Sequence, residues 1–247
     1  MARSPGTKAT KGLAAKASAA ADAAAGKPAS VDDLRAKALS GFLALLAARP
    51  FERIGLADVA SEAQVSLAEL RSAYGSTFDI LAAFIRENDR KVLAASAGDV
   101  AGDMEEETAR DRLFDVLMRR LDVLAPHRAA LRSLAESARR NPFFALALNR
   151  LAVRSQQWML AAAKIDTAGL RGAVRAQGLA LLFARVLRTF LHDEDPGLAP
   201  TMAVLDRELA KGERALGLLE TAVGCVTRGR HRHRRGAAEA PEAPAAA

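Results

Sequence analysis

Apolar residues recur at helical spacing in a short stretch about a quarter of the way along the chain. The positions i, i+3, i+4 and i+7 of its first part are all apolar: Leu56, Val59, Ala60 and Ala63. This spacing predicts a short helix with one face to bury against a partner. Ser66 followed by Glu69 then forms a capping-box pattern, which predicts that a second helix begins there and turns Leu70 and Tyr74 inward. The stretch is therefore typical of a helix-turn-helix.

The same periodicity predicts a helix on each side of this motif. Ser30 caps the first, whose buried stripe contains Leu34, Ala38, Phe42 and Leu45. The second runs from about Thr77 to Ser96, along a stripe of Phe78, Leu81, Ile85 and Val92. A polar, acidic stretch at 97–107 then interrupts the pattern. It predicts a domain boundary that closes a first domain over 31–97.

Beyond this boundary the pattern is helical throughout, which predicts a second domain over 108–226. Its five stripes are Leu113, Leu117, Leu121 and Leu124; Leu131 and Leu134; Phe144, Leu148, Leu151, Ser155 and Trp158; Leu179, Phe183, Val186 and Phe190; and Met202, Leu205, Leu209, Gly212, Leu216 and Leu219. Asn141 followed by Pro142 is a helix-start signal. The last stripe alternates steps of three and four residues, a seam suited to packing against another helix at a shallow angle.

Four segments match, in order and spacing, the amino-terminal domain of the TetR/AcrR-type transcriptional regulators: Phe42–Phe51, Leu56–Ala60, Ala63–Ser66 and Tyr74–Leu81. The chain from about Asp33 to Val92 therefore resembles the DNA-binding part of that family. The resemblance implies an all-α, TetR-like fold, with a three-helix helix-turn-helix domain followed by a helical ligand-binding and dimerisation domain. Gly55 and Gln64 stand where the family usually has a capping Thr and a turn Gly.

The resemblance also implies that the helix from Ser66 to Ala73 enters the major groove of double-stranded DNA. The expected DNA-binding residues are Ser66, Leu67, Ala68, Arg71, Ser72 and Thr77. Ser66, Arg71 and Ser72 are expected at phosphates or base edges, and Leu67 or Ala68 at thymine methyl groups. The helix that follows would connect DNA reading to ligand sensing.

The second domain is expected to hold an unknown small apolar ligand and to form a homodimer. The expected pocket residues are Leu117, Leu121, Phe144, Leu148, Leu151, Trp158 and Phe183. The expected dimer-interface residues are Val186, Phe190, Met202, Leu205, Leu209, Gly212 and Leu216. TetR-like proteins usually pair through their last two helices in a four-helix interface. The alternative for the last stripe is packing within one chain.

The net charge of +7 lies in the two ends of the chain. Residues 1–30 hold five basic and one acidic residue, and residues 228–247 hold five arginines and two glutamates. Between them, the region 31–97 holds eight basic and nine acidic residues, so it supplies little net attraction for phosphates. We interpret 1–30 as a disordered basic arm and 227–247 as a disordered basic tail. The arm is a solvated tail, a DNA-contacting segment or, as a third alternative, an organellar targeting segment.

A second resemblance offers a different function. Four segments look like the carboxy-terminal region of the coenzyme Q biosynthesis accessory proteins: Leu113–Arg120, Arg154–Asp166, Gly178–Ala180 and Thr201–Asp206. Those proteins share the TetR-like fold but resemble lipid carriers. The resemblance implies an isoprenoid in the apolar pocket and a peripheral membrane contact through a terminal amphipathic helix, here with Leu216, Leu218, Leu219, Val223 and Val226.

Composition and motifs indicate which other classes of protein, such as membrane-spanning proteins and enzymes, the sequence does not resemble. Half of the 247 residues are hydrophobic, enough for a full core, and no apolar run approaches the roughly 18 to 20 residues that span a bilayer. The single cysteine, Cys225, fits a reducing compartment, and we expect the cytoplasm. No nucleophile elbow, phosphate-binding loop or metal-spaced ligand cluster is present, so we expect no enzymatic activity, cofactor or metal. We expect a ligand-responsive repressor that binds a palindromic operator.

Overall fold

The computed structural model describes residues 30–98 and 107–215, and this part of the chain consists of nine α-helices without a strand. The predicted all-α class is confirmed. The helices are α1 (Val31–Ala48), α2 (Leu56–Glu62), α3 (Leu67–Ala73), α4 (Thr77–Gly98), α5 (Ala109–Leu124), α6 (Arg128–Arg140), α7 (Pro142–Ala162), α8 (Gly169–Phe190) and α9 (199–215). The predicted basic arm and basic tail lie outside the described residues, as does most of the predicted boundary at 97–107.

The helices begin where the sequence places capping residues. At α3, the Ser66 hydroxyl accepts the amide of Glu69 at 3.2 Å, and the Glu69 carboxylate accepts the amide of Ser66 at 2.8 Å. Ser30 and Asp33 form the same reciprocal pair at α1. Both pairs satisfy amides that have no partner inside the helix. The predicted helix start at Asn141 is also confirmed, because the Asn141 side chain accepts the Phe144 amide at 3.1 Å.

In the amino-terminal part, α1, α2, α3 and the first turns of α4 pack around one end of the apolar core. Phe42 and Val59 are fully buried there, and Leu70 is 2% exposed. Gly41 lets α1 approach the end of α2, because a Cβ atom at Gly41 would lie 3.0 Å from the amide nitrogen of Ala63. This is closer than side chains tolerate without movement of the backbone. Glycine at position 41 therefore allows α1 to pack closely against the end of α2.

A cluster of four phenylalanines joins the two domains. Phe51 stacks on Phe144 with ring centroids 4.5 Å apart. Phe42 packs edge-on against Phe51, and Phe78 edge-on against Phe144. Such aromatic pairs bury large apolar areas in defined geometry. The cluster fixes the amino-terminal domain on α7.

Hydrogen bonds from α6 support the same junction. The Ser133 hydroxyl donates to the carbonyl of Arg49 at 2.9 Å, and the Ser137 hydroxyl accepts the amide of Phe51 at 3.1 Å. The Ser137 hydroxyl also donates to the Glu52 carboxylate at 2.9 Å. These bonds satisfy backbone groups next to the short turn Phe51–Arg53, which would otherwise be left without partners at a buried junction.

A buried ion pair ties α4 to α5 and α7. The Arg120 guanidinium lies 3.2 Å from the Asp89 carboxylate and donates to the Ser155 hydroxyl at 2.6 Å. The Ser155 hydroxyl in turn donates to Asp89 at 2.5 Å, and all three residues are buried. Burial raises the pKa of the Asp89 carboxyl, and the positive charge of Arg120 opposes this effect. Ser155 thus occupies an apolar stripe because it bridges two charges.

Among the described helices, none is long and apolar enough to cross a membrane.

Candidate nucleic-acid interface and cavity

The recognition helix expected from the sequence, α3, lies on the surface of the amino-terminal domain. Its one buried side chain is Leu70, which anchors it to the core. Leu67 is 57% exposed, although it is a large apolar residue, and Ala68, Arg71 and Ser72 are exposed as well. These four residues therefore present one accessible face, as the prediction of DNA contact requires.

The turn before α3 adopts a helix-ending geometry that usually needs glycine. Gln64 has a φ of 54°, in the left-handed region. The Val65 amide donates to the carbonyl of Ala60 at 3.0 Å, and the Gln64 amide to that of Ser61 at 3.2 Å, which is the Schellman pattern. A side chain at such a φ costs roughly 1 kcal/mol. The turn thus has the geometry that glycine usually adopts, and the Gln64 side chain lowers stability there.

Two of the predicted polar contact residues already have partners within α3. The Ser66 hydroxyl donates to the Glu69 carboxylate at 2.7 Å, and the Ser72 hydroxyl donates to the Glu69 carbonyl at 2.7 Å. Both hydroxyls remain exposed and can accept or rearrange, but each already serves the helix. Arg71 is the one predicted α3 contact residue that carries a positive charge.

The sequence interpretation missed Glu69, which carries a negative charge on the same short helix. Hydrogen bonds from the backbone and then the side chain of Ser66 lower the pKa of this carboxyl, and the charge of Lys37 on α1 acts in the same direction. Glu69 is therefore ionised at neutral pH, and it offsets the charge of Arg71. The signal was present in the capping box, where Glu69 was assigned only a structural role.

The amino end of α4 lies beside α3. Ser76 caps α4 by accepting the Asp79 amide at 3.1 Å, and Thr77 is its first residue. A Cβ atom at Gly75 would lie 3.5 Å from an Arg71 guanidinium nitrogen and 2.7 Å from the Asp79 carboxylate. Arg71 thus lies next to the start of α4, where Thr77 is half-buried.

A cavity of about 670 Å³ lies between α4, α6, α7 and α8 in the carboxy-terminal part. Of the seven predicted pocket residues, Leu148 and Phe183 line it. Ile85 and Leu131 contribute further apolar surface from α4 and α6. A volume of this size is typical of pockets for drug-sized molecules.

The other five predicted pocket residues lie elsewhere. Leu117 and Leu121 are fully buried in the core without lining the cavity, and Phe144 belongs to the phenylalanine junction. Leu151 is half-buried outside the cavity, and Trp158 is 58% exposed on the surface of α7. Helical spacing shows which residues share a face, but it does not show which neighbour covers that face.

Two polar residues that the sequence interpretation missed lie in the cavity wall. Gln156 is 1% exposed, and its Oε1 has no hydrogen-bond partner among the described residues. Asn88 is 2% exposed and donates from its side chain to the Phe84 carbonyl at 2.8 Å. An unpartnered buried amide oxygen is rare in proteins. The available signal was a glutamine beside Ser155 on the buried side of an apolar helix.

The predicted dimer residues are mostly covered by their own chain. Val186, Phe190 and Leu205 are fully buried, and Leu209 is 5% exposed, so a partner could not reach them without opening the core. Gly212 is half-buried, and a Cβ atom there would contact Leu182 at 3.6 Å. These positions therefore pack within one chain, which was the alternative to the predicted dimer interface. Met202 is exposed, and Leu216 lies outside the described residues, with the other residues proposed for membrane contact.

Comparisons with known proteins bear on the fold. No protein-family model matches the sequence, and no curated protein matches it significantly. The chain is similar to the crystal structure of a TetR transcriptional regulator from Nitrosomonas europaea ATCC 19718, with 22% identity and a TM-score of 0.56 over 72% of this chain and 97% of that one. TetR-family regulators from Rhodococcus sp. RHA1 and Streptomyces coelicolor align with 18% and 14% identity and TM-scores of 0.48 and 0.47. Those alignments cover 72% and 78% of this chain and 94% and 89% of the other chains. With the helix order above, the first similarity shows that this chain has the fold of the TetR transcriptional regulators.

Proposed function

We propose that the protein is a DNA-binding transcriptional regulator that represses from a palindromic operator as a homodimer and responds to a small ligand. The exposure of α3 is the observation that carries this proposal. Leu70 is the buried anchor of this helix and Ala73 packs against the core beside it, while Leu67 and Arg71 are exposed near the start of α4. A short helix exposed in this way fits the major groove of B-DNA.

The chemistry of α3 favours base contacts over charge attraction. Glu69 and Arg71 offset each other, so phosphate neutralisation by this helix is small. Leu67 and Ala68 offer apolar surface for thymine methyl groups, and Arg71 and Thr77 reach the backbone or a base edge. The basic ends of the chain, at 1–30 and 228–247, would supply the non-specific attraction that the folded part lacks.

Dimer formation is supported by exposed apolar residues on α8 and α9. Leu170 is 81% exposed and Val174 43%, and these two residues lie four positions apart on α8. Met202 on α9 is 39% exposed. An unpartnered apolar stripe on the last helices suits an isologous contact with a second copy. Two copies would present two α3 helices to successive half-sites.

Ligand response is supported by the position of the cavity next to the domain junction. Leu134 and Ala138 of α6 line the cavity, while Ser133 and Ser137 of the same helix hold the amino-terminal domain. A ligand that fits one position of α6 better than another would change how the DNA-reading helices are spaced. It shifts the equilibrium only by its difference in affinity for the two states.

The test is a mobility-shift assay with DNA from upstream of the protein's own gene, at a stated salt concentration. We expect a saturable complex with dimer stoichiometry that competes at least about a thousandfold better than random duplex. Arg71→Ala should weaken this complex about tenfold or more, because one phosphate or base contact is lost. Lys164→Asn removes one charge far from α3, at a left-handed position that Asn tolerates, and it should leave the affinity unchanged. Equal affinity for random duplex would overturn the proposal.

A further inference from the structure

We propose that the cavity binds an amphipathic carboxylate that carries a hydroxyl group at the end remote from the carboxylate. This inference names the class of ligand for the cavity. Only the regulatory effect of the ligand rests on the proposed function as a transcriptional regulator. Three features of the cavity carry it: the buried amides of Asn88 and Gln156, which we call the floor, the apolar walls, and a charged rim.

The floor offers an unused hydrogen-bond acceptor. Gln156 is 1% exposed, lines the cavity, and leaves its Oε1 without a partner among the described residues. Asn88, also buried, lines the same space but uses its side-chain nitrogen on the Phe84 carbonyl. A buried acceptor without a partner is unfavourable unless another molecule supplies a donor. A hydroxyl group is the simplest neutral donor that a ligand can bring.

The walls require the middle of the ligand to be apolar. They consist mainly of leucine, alanine and phenylalanine side chains, among them Leu131, Leu148, Phe183 and Leu187. Burial of apolar surface is the main favourable term for a ligand here, and an unsubstituted alkyl chain supplies it without unpaired polar atoms. The amides of Asn149 and Gln177 are paired with each other at 3.1 and 3.2 Å, so the Asn149 side chain in the wall is already satisfied.

The rim carries an excess of positive charge. It contains the exposed residues Arg132, Arg139, Arg188, His192 and Glu136. The Glu136 carboxylate is already paired with Arg140, outside the cavity. Arg132 donates through its Nε to the Leu191 carbonyl at 2.8 Å, which fixes its position at the edge. Guanidinium groups suit the planar geometry of a carboxylate, so an anionic head is favoured at this end.

The interior disfavours the opposite orientation of the ligand. Two charged groups border the floor. Asp89 follows Asn88 in the sequence, and Arg120 bonds Ser155, the neighbour of Gln156, and lies 5.1 Å from the centre of the Phe183 ring. The Arg120 guanidinium does not line the cavity, and it forms an ion pair with Asp89 at 3.2 Å. A carboxylate at the floor would be desolvated without a free cation, which is strongly unfavourable. The carboxylate therefore stays at the rim and the hydroxyl reaches the floor.

Titration calorimetry of the full chain without DNA tests this assignment. The probes are ω-hydroxy fatty acids of about eight to sixteen carbons, each with the unsubstituted fatty acid and the terminal diol of the same length, sizes suited to a cavity of this class. At the best chain length, we expect the hydroxy acid to bind about tenfold more tightly than the plain acid, because one neutral hydrogen bond is gained. We expect it to bind at least about threefold more tightly than the diol, because exposed charges contribute modestly.

Two variants and their matched controls assign these preferences to residues. Gln156→Leu should remove the preference for the hydroxy acid over the plain acid, while Gln157→Leu, at the exposed neighbour, should keep it. Arg188→Gln should reduce the preference for the hydroxy acid over the diol, while Arg207→Gln, on the surface of α9, should not. Circular dichroism melts confirm that each variant is folded.

Each outcome decides the proposal. It is overturned if no probe binds, if the plain acid or the diol binds as tightly as the hydroxy acid, or if Gln156→Leu keeps the preference of the native chain. Because calorimetry uses no DNA, a negative mobility-shift result would reject the regulator and leave the ligand class supported. If the best probe binds but leaves a specific DNA complex unchanged, the regulatory role of this cavity is rejected.

Discussion

Around α3 the polar side chains bond partners about three residues away, whereas the helices around the cavity are also joined by polar side chains that are far apart in the sequence. Ser66 and Glu69 bond each other at the start of α3. Arg120 and Ser155, by contrast, are 35 residues apart in sequence and 2.6 Å apart in space. The first kind of bond shapes one helix and leaves its outer face exposed. The second kind fixes how several helices enclose a cavity.

The largest expected loss of stability follows from breaking the buried ion pair between Asp89 and Arg120. Asp89→Asn should lower the free energy of unfolding by about 3–5 kcal/mol, because Arg120 would remain buried without a counter-charge. Asp32→Asn, which breaks a surface pair with Arg35, should change it by less than about 0.5 kcal/mol, since both side chains are largely solvated. Urea denaturation measures both variants.

The double variant Asp89→Leu with Arg120→Met sharpens this test. Replacing both charges by apolar side chains should restore most of the lost stability, because no unpaired charge remains. If Asp89→Asn alone lowers the free energy of unfolding by less than about 1 kcal/mol, the ion pair does not hold α4 to α5 and α7.

Loss of a local bond should have a smaller effect. Ser66→Ala removes the cap of α3 and should lower the free energy of unfolding by about 1 kcal/mol. Ser72→Ala, whose hydroxyl donates only to a carbonyl within the same helix, should change stability by a few tenths of a kcal/mol at most. Equal losses in the two variants would show that the capping box does not determine where α3 begins.

Relief of the strained turn should raise stability. Gln64→Gly should increase the free energy of unfolding by about 0.5–1 kcal/mol, because glycine adopts a φ of 54° without steric cost. Gly55 at the start of α2 is a contrasting position, because its φ of −92° is open to any residue and a substitution there relieves no strain; Gly55→Ala should therefore not raise stability. A destabilised Gln64→Gly variant would mean that the Gln64 side chain makes a stabilising contact that outweighs the strain of the turn.

The smallest effect concerns pH. Burial lowers the pKa of His127, which packs edge-on against Phe84 with ring centroids 5.1 Å apart, and Lys91 adds to the shift. Since the unfolded state keeps the ordinary pKa near 6.5, it binds more protons below that pH, and stability falls as the pH drops from about 7 to 5. His127→Phe keeps the ring and removes the titration, so its stability should fall less over this range. An identical pH dependence of the native chain and the variant would contradict this assignment.

The contrast between the domains also explains what the sequence could predict. The start of α3 and the burial of Leu70 follow from residues three or four positions apart, and the structure confirms them. The TetR-like fold was expected for the same reason, since the matched segments lie in this local part. Only the cost at Gln64 could not be read from spacing alone, because it depends on the φ of the turn.

The cavity was predicted less well because its shape depends on long-range packing. Phe144 and Trp158 lie on one predicted stripe, yet the first stacks on Phe51 in the junction and the second is exposed. Val186 and Phe190 are fully buried within their own chain, although a partner was expected to cover them. Periodicity assigns residues to faces, and only the packed structure assigns faces to neighbours.

The most direct test of the central claim, that α3 reads bases with an apolar face, is a thymine-to-uracil scan of the bound upstream DNA. Each substitution removes one methyl group from the major groove. We predict two symmetry-related positions at which uracil weakens binding of the native chain about fourfold, the value of one buried methyl group, and no such loss with Leu67→Ala. If no position is sensitive, or if Leu67→Ala keeps the same sensitivity, α3 does not read the operator in this way.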